Sequence, residues 1–381
     1  VLPEITKIQT PYSLYTENDI RTRIIYVEAS RGCPYKCEYC LSSLDKSVRN
    51  FPLDAFLADL EMLMTKGARQ FKFIDRTFNL SPQISTKILQ FFLDRIDLGL
   101  FLHFEMVPDR LPEELKVLIR QFPNGSLQFE IGVQTWNPQV ATLVSRRQDY
   151  QKVADNLRFL HEQTGVHTHV DLIAGLPGET LESFAHGFDQ LSALSGDEIQ
   201  VGILKRLKGT PIIRHNHEWQ MHYDTKPPFQ IVQNKTMSAE VLSKFQKFAK
   251  YWDLISNSGN FQGTAKEIRQ HVAAKAGSLF SFYWDLTDFL NQRHETAHSI
   301  PLAKLFESML CFFEEQQWPM KETLAQDYLR GRPGPLPKCL QTYTGKKSRR
   351  IQLGPWIPQA HIPKRQRLHL EERNEKGKAA P

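Results

Sequence analysis

The sequence has no run near the roughly eighteen consecutive apolar residues that a membrane helix needs, which leaves no readable membrane span and no membrane partner to expect. Its opening residues, VLPEITKIQT, carry neither a basic cluster nor an apolar stretch, so no secretory signal is legible there and the cytoplasm is the expected compartment. Cysteine is scarce: five in 381 residues, an odd number, which argues against the disulfide framework of a small secreted domain. Cys311 and Cys339 read as isolated thiols. The net charge of +6 is mild for this length but unevenly placed. Methionine is missing from position 1, where valine stands, and residues 1–22 are proline-bearing, polar and weakly periodic. They read as a linker-like segment of a fragment that lacks an upstream domain. No internal repeat of solenoid period is present.

What is present is an ordinary globular composition, 41% hydrophobic and 24% charged. Between Arg23 and Leu204 a short β-branched or aromatic run recurs six times, each followed by a turn and an amphipathic segment of helical period. The runs are Arg23 to Ala29, Arg69 to Asp75, Leu100 to Met106, Ser126 to Val133, Val166 to Ile173 and Glu198 to Leu204. Helices are expected over PLDAFLADLEMLMTKG, stopped by Gly67, over PEELKVLIRQF, opened by Pro112, and over PGETLESFAHGFDQLSAL. Consecutive βα units with right-handed crossovers give an α/β fold, an open barrel or a wound parallel sheet, with ligands at the carboxyl ends of the strands. After about Pro211 the beat stops. A turn-rich stretch with a hairpin follows, and then a mainly helical domain, with boundaries expected at 23–225 and 226–337. From Lys338 the stretches KKSRR and PKRQRLHLEERNEKGKAAP form a basic tail, 338–381, expected to be partly disordered, with nucleic acid as the partner its charge would attract.

Cys33, Cys37 and Cys40 lie in ASRGCPYKCEYCLSS with the spacing C-x3-C-x2-C, on a loop announced by Gly32 and Pro34 after the first strand. Three thiolates can hold three irons of a [4Fe–4S] cubane and leave the fourth iron open. A structural zinc ion would need a fourth ligand, and His103, His167 or His169 would have to reach it from other strands. Three unrelated buried thiols are the blandest alternative.

The segment CPYKCEYC, with Tyr39 just ahead of the third cysteine, resembles the cluster motif of the radical S-adenosylmethionine (SAM) superfamily. DLIAGLPGET at Asp171 resembles that superfamily's fifth-strand motif, which places Ile173 and Gly175 beside the adenine. EIGVQT at Glu130 resembles the fourth-strand segment, which places Glu130 and Gln134 near the ribose or methionine part of SAM. FIDRTFN stands where the family carries a Gly-Gly-Glu type segment and departs from it, so Asp75, or a carbonyl near it, is the stand-in, with Arg76 as a neighbouring cation. Read without the resemblance, Glu130 and Asp171 are equally ordinary strand-end carboxylates, and His167 and His169 are core or rim histidines. Lys205, Arg206 and Lys208 either offset a ligand's negative charge or sit in a solvated turn.

The resemblance implies a partial (βα)6 TIM-like barrel with a mainly helical C-terminal domain, a [4Fe–4S] cluster on Cys33, Cys37 and Cys40, and SAM as cosubstrate, with Tyr39 helping to place the adenine. It extends to the branch whose members carry an N-terminal cobalamin-binding domain and an uncharacterised C-terminal domain. No D-x-H-x-x-G signature is present, so cobalamin is expected only from an upstream domain. The implied activity is reductive cleavage of SAM to a 5′-deoxyadenosyl radical, fed by a donor such as flavodoxin or ferredoxin. Cobalamin-assisted methyl or alkyl transfer to an unactivated carbon of an unidentified substrate follows, or, without cobalamin, oxidation or rearrangement. An iron–sulfur protein that binds nucleic acid without turnover is the alternative of another class. Methylthiolation is disfavoured, because that branch carries a second cysteine trio upstream and a C-terminal β-barrel.

Overall fold

The computed structural model describes residues 4–194, 197–294, 297, 299–330, 335–341 and 365. Residues 4–22, expected to be linker-like, pack on the barrel through buried Tyr12 and Ile20. They end in α1 (Glu17–Thr22), whose Thr16 and Asp19 form a reciprocal capping box. The strands that follow are β1 (Ile25–Val27), β2 (Ser30–Arg31), β3 (Arg49–Asn50), β4 (Gln70–Phe73), β5 (Phe101–Met106), β6 (Leu127–Gln134), β7 (His167–Ala174), β8 (Glu198–Ile203), β9 (His222–Tyr223) and β10 (Ile231–Gln233). The six expected runs become one parallel sheet in the order β1-β4-β5-β6-β7-β8, with β2 and β3 forming a small ladder beside the cysteine loop. This is the partial barrel that the βα beat announces.

Helices α2 (Leu53–Thr65), α3 (Pro82–Leu93), α4 (Glu113–Ile119), α5 (Pro138–Leu143), α6 (Tyr150–Gln163) and α7 (Leu181–Leu194) cover its outer face. In α2, Phe56, Leu60, Leu63 and Met64 fall on one face and are buried, each worth about 2 kcal/mol of apolar transfer. Gly67 then ends the helix at φ +102°, a conformation that a side chain would strain.

The inner face of the sheet differs from its outer face. Along β6, Leu127, Phe129, Ile131 and Val133 are buried against the helices, while the alternate residues Gln128, Glu130, Gly132 and Gln134 are only half-buried. Register places Glu105 opposite Glu130, Glu130 opposite His169, and His169 opposite Glu198. One transverse row of the lumen is therefore made of ionisable side chains, where packed barrels carry Val, Ile and Leu.

The C-terminal part comprises the β9/β10 hairpin and α8 (Ala239–Trp252), α9 (Gln262–Ala274), α10 (Leu279–Arg293), α11 (Leu302–Glu315) and α12 (Lys321–Leu329). It is mainly helical, as expected, and it continues the barrel's core. Phe184 and Phe188 of α7 meet Phe245, Phe248, Trp252 and Phe280 edge to face. Helix α8 runs beside the open edge of the sheet, where Trp252 Nε1 and Asn257 Nδ2 donate to the Ile199 carbonyl at 2.7 and 2.9 Å. Most of the expected basic tail lies outside the described residues. Arg365 is described, and its guanidinium reaches Glu198 and Asp253 at the base of the barrel. No described helix is long and apolar enough to cross a membrane.

Candidate active site

The cysteine loop leaves β1 at the carboxyl edge of the sheet and doubles back on itself. Gly32 stands at φ +96°, and a Cβ there would lie 2.2 Å from the Ser47 carbonyl oxygen, so no other residue fits. The Cys33 amide donates to Asp45 O at 2.9 Å and the Cys40 amide to Cys37 O at 3.1 Å. Cys33 and Cys37 are buried and Cys40 is half-buried. All three line a cavity at the mouth of the barrel.

The same cavity collects Tyr39, Arg76, Glu130, Gln134 and Asp171 from the residues expected by sequence. Tyr39 packs against the hydrophobic core, and its hydroxyl is buried with no hydrogen-bond partner. Gln134 adopts φ +74° at a register shift beside Gly132, an unusual conformation for a side-chain-bearing residue and one that marks the site. Three expected residues lie apart from the cavity lining. Asp75 is buried beneath the loop, where it accepts from the Ala29 amide at 2.9 Å and the Ser30 hydroxyl at 2.6 Å, and burial pushes its pKa up to about 6. It braces the loop's first residues, because their unpaired donors need an acceptor there. Ile173 packs against the core. Gly175, at φ +91°, makes room for Ile231, whose Cγ2 would lie 2.6 Å from a Cβ.

Sequence reading missed Glu105, Arg146 and Thr77, which line the cavity too. Arg76 pairs with Glu105 at 3.3 Å, not with Asp75. Arg146, from the turn after α5, donates to Cys37 Sγ at 3.4 Å and to the Gly132 carbonyl. Thr77 Oγ1 lies 3.9 Å from Cys33 Sγ. The only signal available for Glu105 was its position at a strand exit, and the contact of Arg146 spans 109 residues of sequence.

Most of the lumen's ionisable groups have a partner of opposite charge. Glu130 accepts from His103 at 3.1 Å and lies 3.6 Å from Lys72; the His103 hydrogen bond first, then Lys72, lowers its pKa to about 2 against its burial. Burial lifts Asp171 well above the usual carboxylate range, and Glu130 and Glu105 push it the same way. Its Oδ1 is buried with no partner. Burial also raises Glu105, with Arg76 opposing. Burial would raise Glu198, yet the His167 hydrogen bond and charge, with Arg365, bring it down to about 2. Burial lowers the pKa of His169, so that histidine is neutral at neutral pH.

These donors fit an iron–sulfur cubane better than a zinc ion. Among the described residues no three His, Cys, Asp or Glu side chains gather closely enough around a single ion. A cubane asks less of them, because each thiolate takes its own iron. His103 and His167 are engaged with Glu130 and Glu198, away from the cysteines. Hydrogen-bond donors at Cys33 and Cys37, the Tyr35 backbone and the Arg146 guanidinium, suit ligands that stay anionic on binding. Burial raises the pKa of the Cys33 thiol, so loading metal there releases a proton.

A six-stranded parallel partial barrel, with a three-cysteine loop on its first connection and a polar cavity at its carboxyl mouth, defines a cofactor-binding barrel protein. Residues 27–191 match the Radical SAM superfamily and form a Radical SAM domain. Its cofactors are accordingly a [4Fe–4S] cluster and SAM. Residues 217–359 match a protein family of unknown function, DUF4080. Over 194 residues the chain is 26% identical to the ribosomal protein uS12 methylthiotransferase RimO of Pelobacter propionicus, a match covering 49% of this chain and 43% of RimO. It is 24% identical over 207 residues to a probable threonylcarbamoyladenosine tRNA methylthiotransferase of Archaeoglobus fulgidus, covering 50% of this chain and 47% of that protein. The chain thus spans less than half the length of these relatives. Among solved structures, the radical SAM methyltransferase TsrM of Kitasatospora setae, with cobalamin and a [4Fe–4S] cluster bound, aligns at a TM-score of 0.47 and 19% identity, covering 54% of this chain and 43% of TsrM.

Proposed function

We propose that this chain is the catalytic core of an enzyme that reductively cleaves SAM at a [4Fe–4S] cluster held by Cys33, Cys37 and Cys40, and that it directs the radical to methyl or alkyl transfer onto an unactivated carbon, with cobalamin supplied by an upstream domain of the full protein. The observation that carries this reading is the convergence of three thiols, two buried, on one cavity with Arg76, Glu105, Gln134, Arg146 and Asp171. When bound, the cluster supplies the electron that breaks the sulfonium bond of SAM. The residues of the chain do the rest. Arg76 and Arg146 offer positive charge to the carboxylate of SAM, Glu105 offers negative charge to its amino group, and Asp171 and Gln134 offer hydrogen bonds to its ribose. Burial favours the protonated form of Asp171, and a protonated carboxyl can donate as well as accept. Tyr39 shields one wall, since a primary carbon radical takes hydrogen from whatever lies beside it. An electron donor such as flavodoxin or ferredoxin completes the reaction.

A second reading, methylthiolation, is favoured by the names of the curated relatives, matched over about half of this chain. The helical segment 239–329 and the C-terminal family of unknown function favour the first. Anaerobic reconstitution with iron and sulfide, then SAM and a strong reductant, should yield a brown protein that releases 5′-deoxyadenosine. Cys37→Ala should lose both the chromophore and the cleavage, and full activity in that variant would remove the assignment. Zinc in place of iron and sulfide in oxygen-free preparations, with RNA retained at moderate salt, would favour the nucleic-acid-binding alternative. Mass analysis of product from the full-length protein separates the two transfers: a methyl group alone supports the first reading, and a methylthio group the second.

A further inference from the structure

Between two of the cysteines stands a carboxylate that the cavity does not use. Glu38 is 3% exposed, and it does not line the cavity. Its Oε1 accepts from the Ser145 hydroxyl at 2.5 Å and lies 2.5 Å from Arg214 Nη2. Its Oε2 accepts from Arg214 Nε at 2.8 Å and lies 2.9 Å from His215 Nε2. The backbone of the same residue is pinned twice: its amide donates to Val144 O at 3.0 Å, and its carbonyl accepts from the Ile212 amide at 3.0 Å. A carboxylate this deeply buried is tolerated only when charge and hydrogen bonds surround it, and here all of them come from outside the cysteine loop.

We propose that Glu38 is a positioning residue that locks the cysteine loop to the segment Pro211–His215, which joins the barrel to the C-terminal hairpin and helices. Arg214 and His215 lie 176 and 177 residues further along the chain, so the buried Glu38 carboxylate, paired with exposed Arg214 and buried His215, ties the mouth of the barrel to the start of the C-terminal part. Glu38 follows Cys37 directly and stands two residues before Cys40, so any shift of its backbone moves both sulfurs. The loop's own bonds, Cys33 to Asp45 and Cys40 to Cys37, fold it locally but do not set its orientation toward the lumen. The Glu38 clamp does. Arg214 fits this role geometrically, because its guanidinium also donates to the Leu143 carbonyl at 3.2 Å and so fixes α5 and the cysteine loop together.

The consequence for the cofactor rests on the cluster reading given above, and the experiment separates the two. Lys36 in the loop is exposed and is a trypsin site. In the metal-free protein, Glu38→Gln and Arg214→Ala should speed tryptic cleavage at Lys36 roughly tenfold, with Arg214→Lys restoring much of the protection; circular dichroism checks that each variant is folded. In the reconstituted protein, both variants should keep iron and sulfide near wild-type content, yet lose the change that SAM causes in the electron paramagnetic resonance spectrum of the reduced cluster. The yield of 5′-deoxyadenosine should fall roughly tenfold or more, as for other residues that orient ligands from behind. Unchanged cleavage at Lys36 in both variants, or a wild-type spectral response to SAM in both, overturns the clamp. Wild-type protein without iron and sulfide overturns the cluster reading alone and leaves the proteolysis result to stand by itself.

Discussion

Where α8 meets α10 the protein buries Phe245, Phe248, Trp252, Phe280 and Tyr283 against one another, whereas the inner face of its sheet carries Lys72, His103, Glu130, Asp171 and Glu198. The helical part gains free energy from nearly every side chain it hides. The lumen gains little, because each ion there gives up water and recovers it only through a partner. Stability is thus concentrated outside the barrel mouth, and the mouth is left free to carry charge. A lumen filled like that of a packed barrel would be more stable and would have no room for a polar ligand.

The comparison breaks most readily at Trp252. Trp252→Ala removes an edge-to-face partner of Phe188 and Tyr283 and the donor to Ile199, so unfolding in denaturant should cost about 4 kcal/mol less. A loss below about 1 kcal/mol would show that the aromatic cluster is not where stability resides. Glu130→Gln should be milder, a loss on the order of 2 kcal/mol at pH 7 after allowance for partial solvent screening. Glu130 titrates near 2 in the folded protein, below its usual 4.5, so its stabilisation holds above 4.5 and fades as pH falls from there toward 2. The gap between wild type and variant should close over that window; a gap that stays constant with pH assigns the effect to packing instead. Asp171→Asn should have the smallest effect and the opposite sign. Its folded-state pKa is raised by burial, so its contribution is favourable only at low pH and turns against folding as pH rises. The melting temperature of the metal-free variant should exceed that of wild type by a few degrees at pH 8 and match it near pH 4. A variant less stable at pH 8 would mean that the carboxylate has a partner in the folded state.

Much of the barrel was legible in the residues. The run Glu198 to Leu204 becomes β8 one residue shorter, and Ser126 to Val133 becomes β6 shifted by one. The first run shrank most, from Arg23 to Ala29 down to Ile25–Val27, because β1 is an edge strand that only β4 pairs, over three residues. The cysteine trio was found from its spacing, and Tyr39, Gln134 and Asp171 from the resemblance of their segments to radical SAM motifs; all of them line one cavity. Asp75 was offered as the stand-in for the family's Gly-Gly-Glu type segment, but the Ala29 and Ser30 donors of the loop claimed it. Glu105, Arg146 and Glu38 escaped notice for a common reason. Each matters through a partner 29, 109 or 176 residues away, and no local pattern records such a pairing.

Taken alone, the order of residues determined the alternation of strand and helix and the place of the three thiols on the first connection, because period and turn chemistry act between near neighbours. Only the tertiary structure decided which charges face one another across the lumen, and that the cysteine loop leans on Arg214 and His215. Register and packing bring those groups within a few ångströms, and at that range burial and Coulomb forces set what each of them can do.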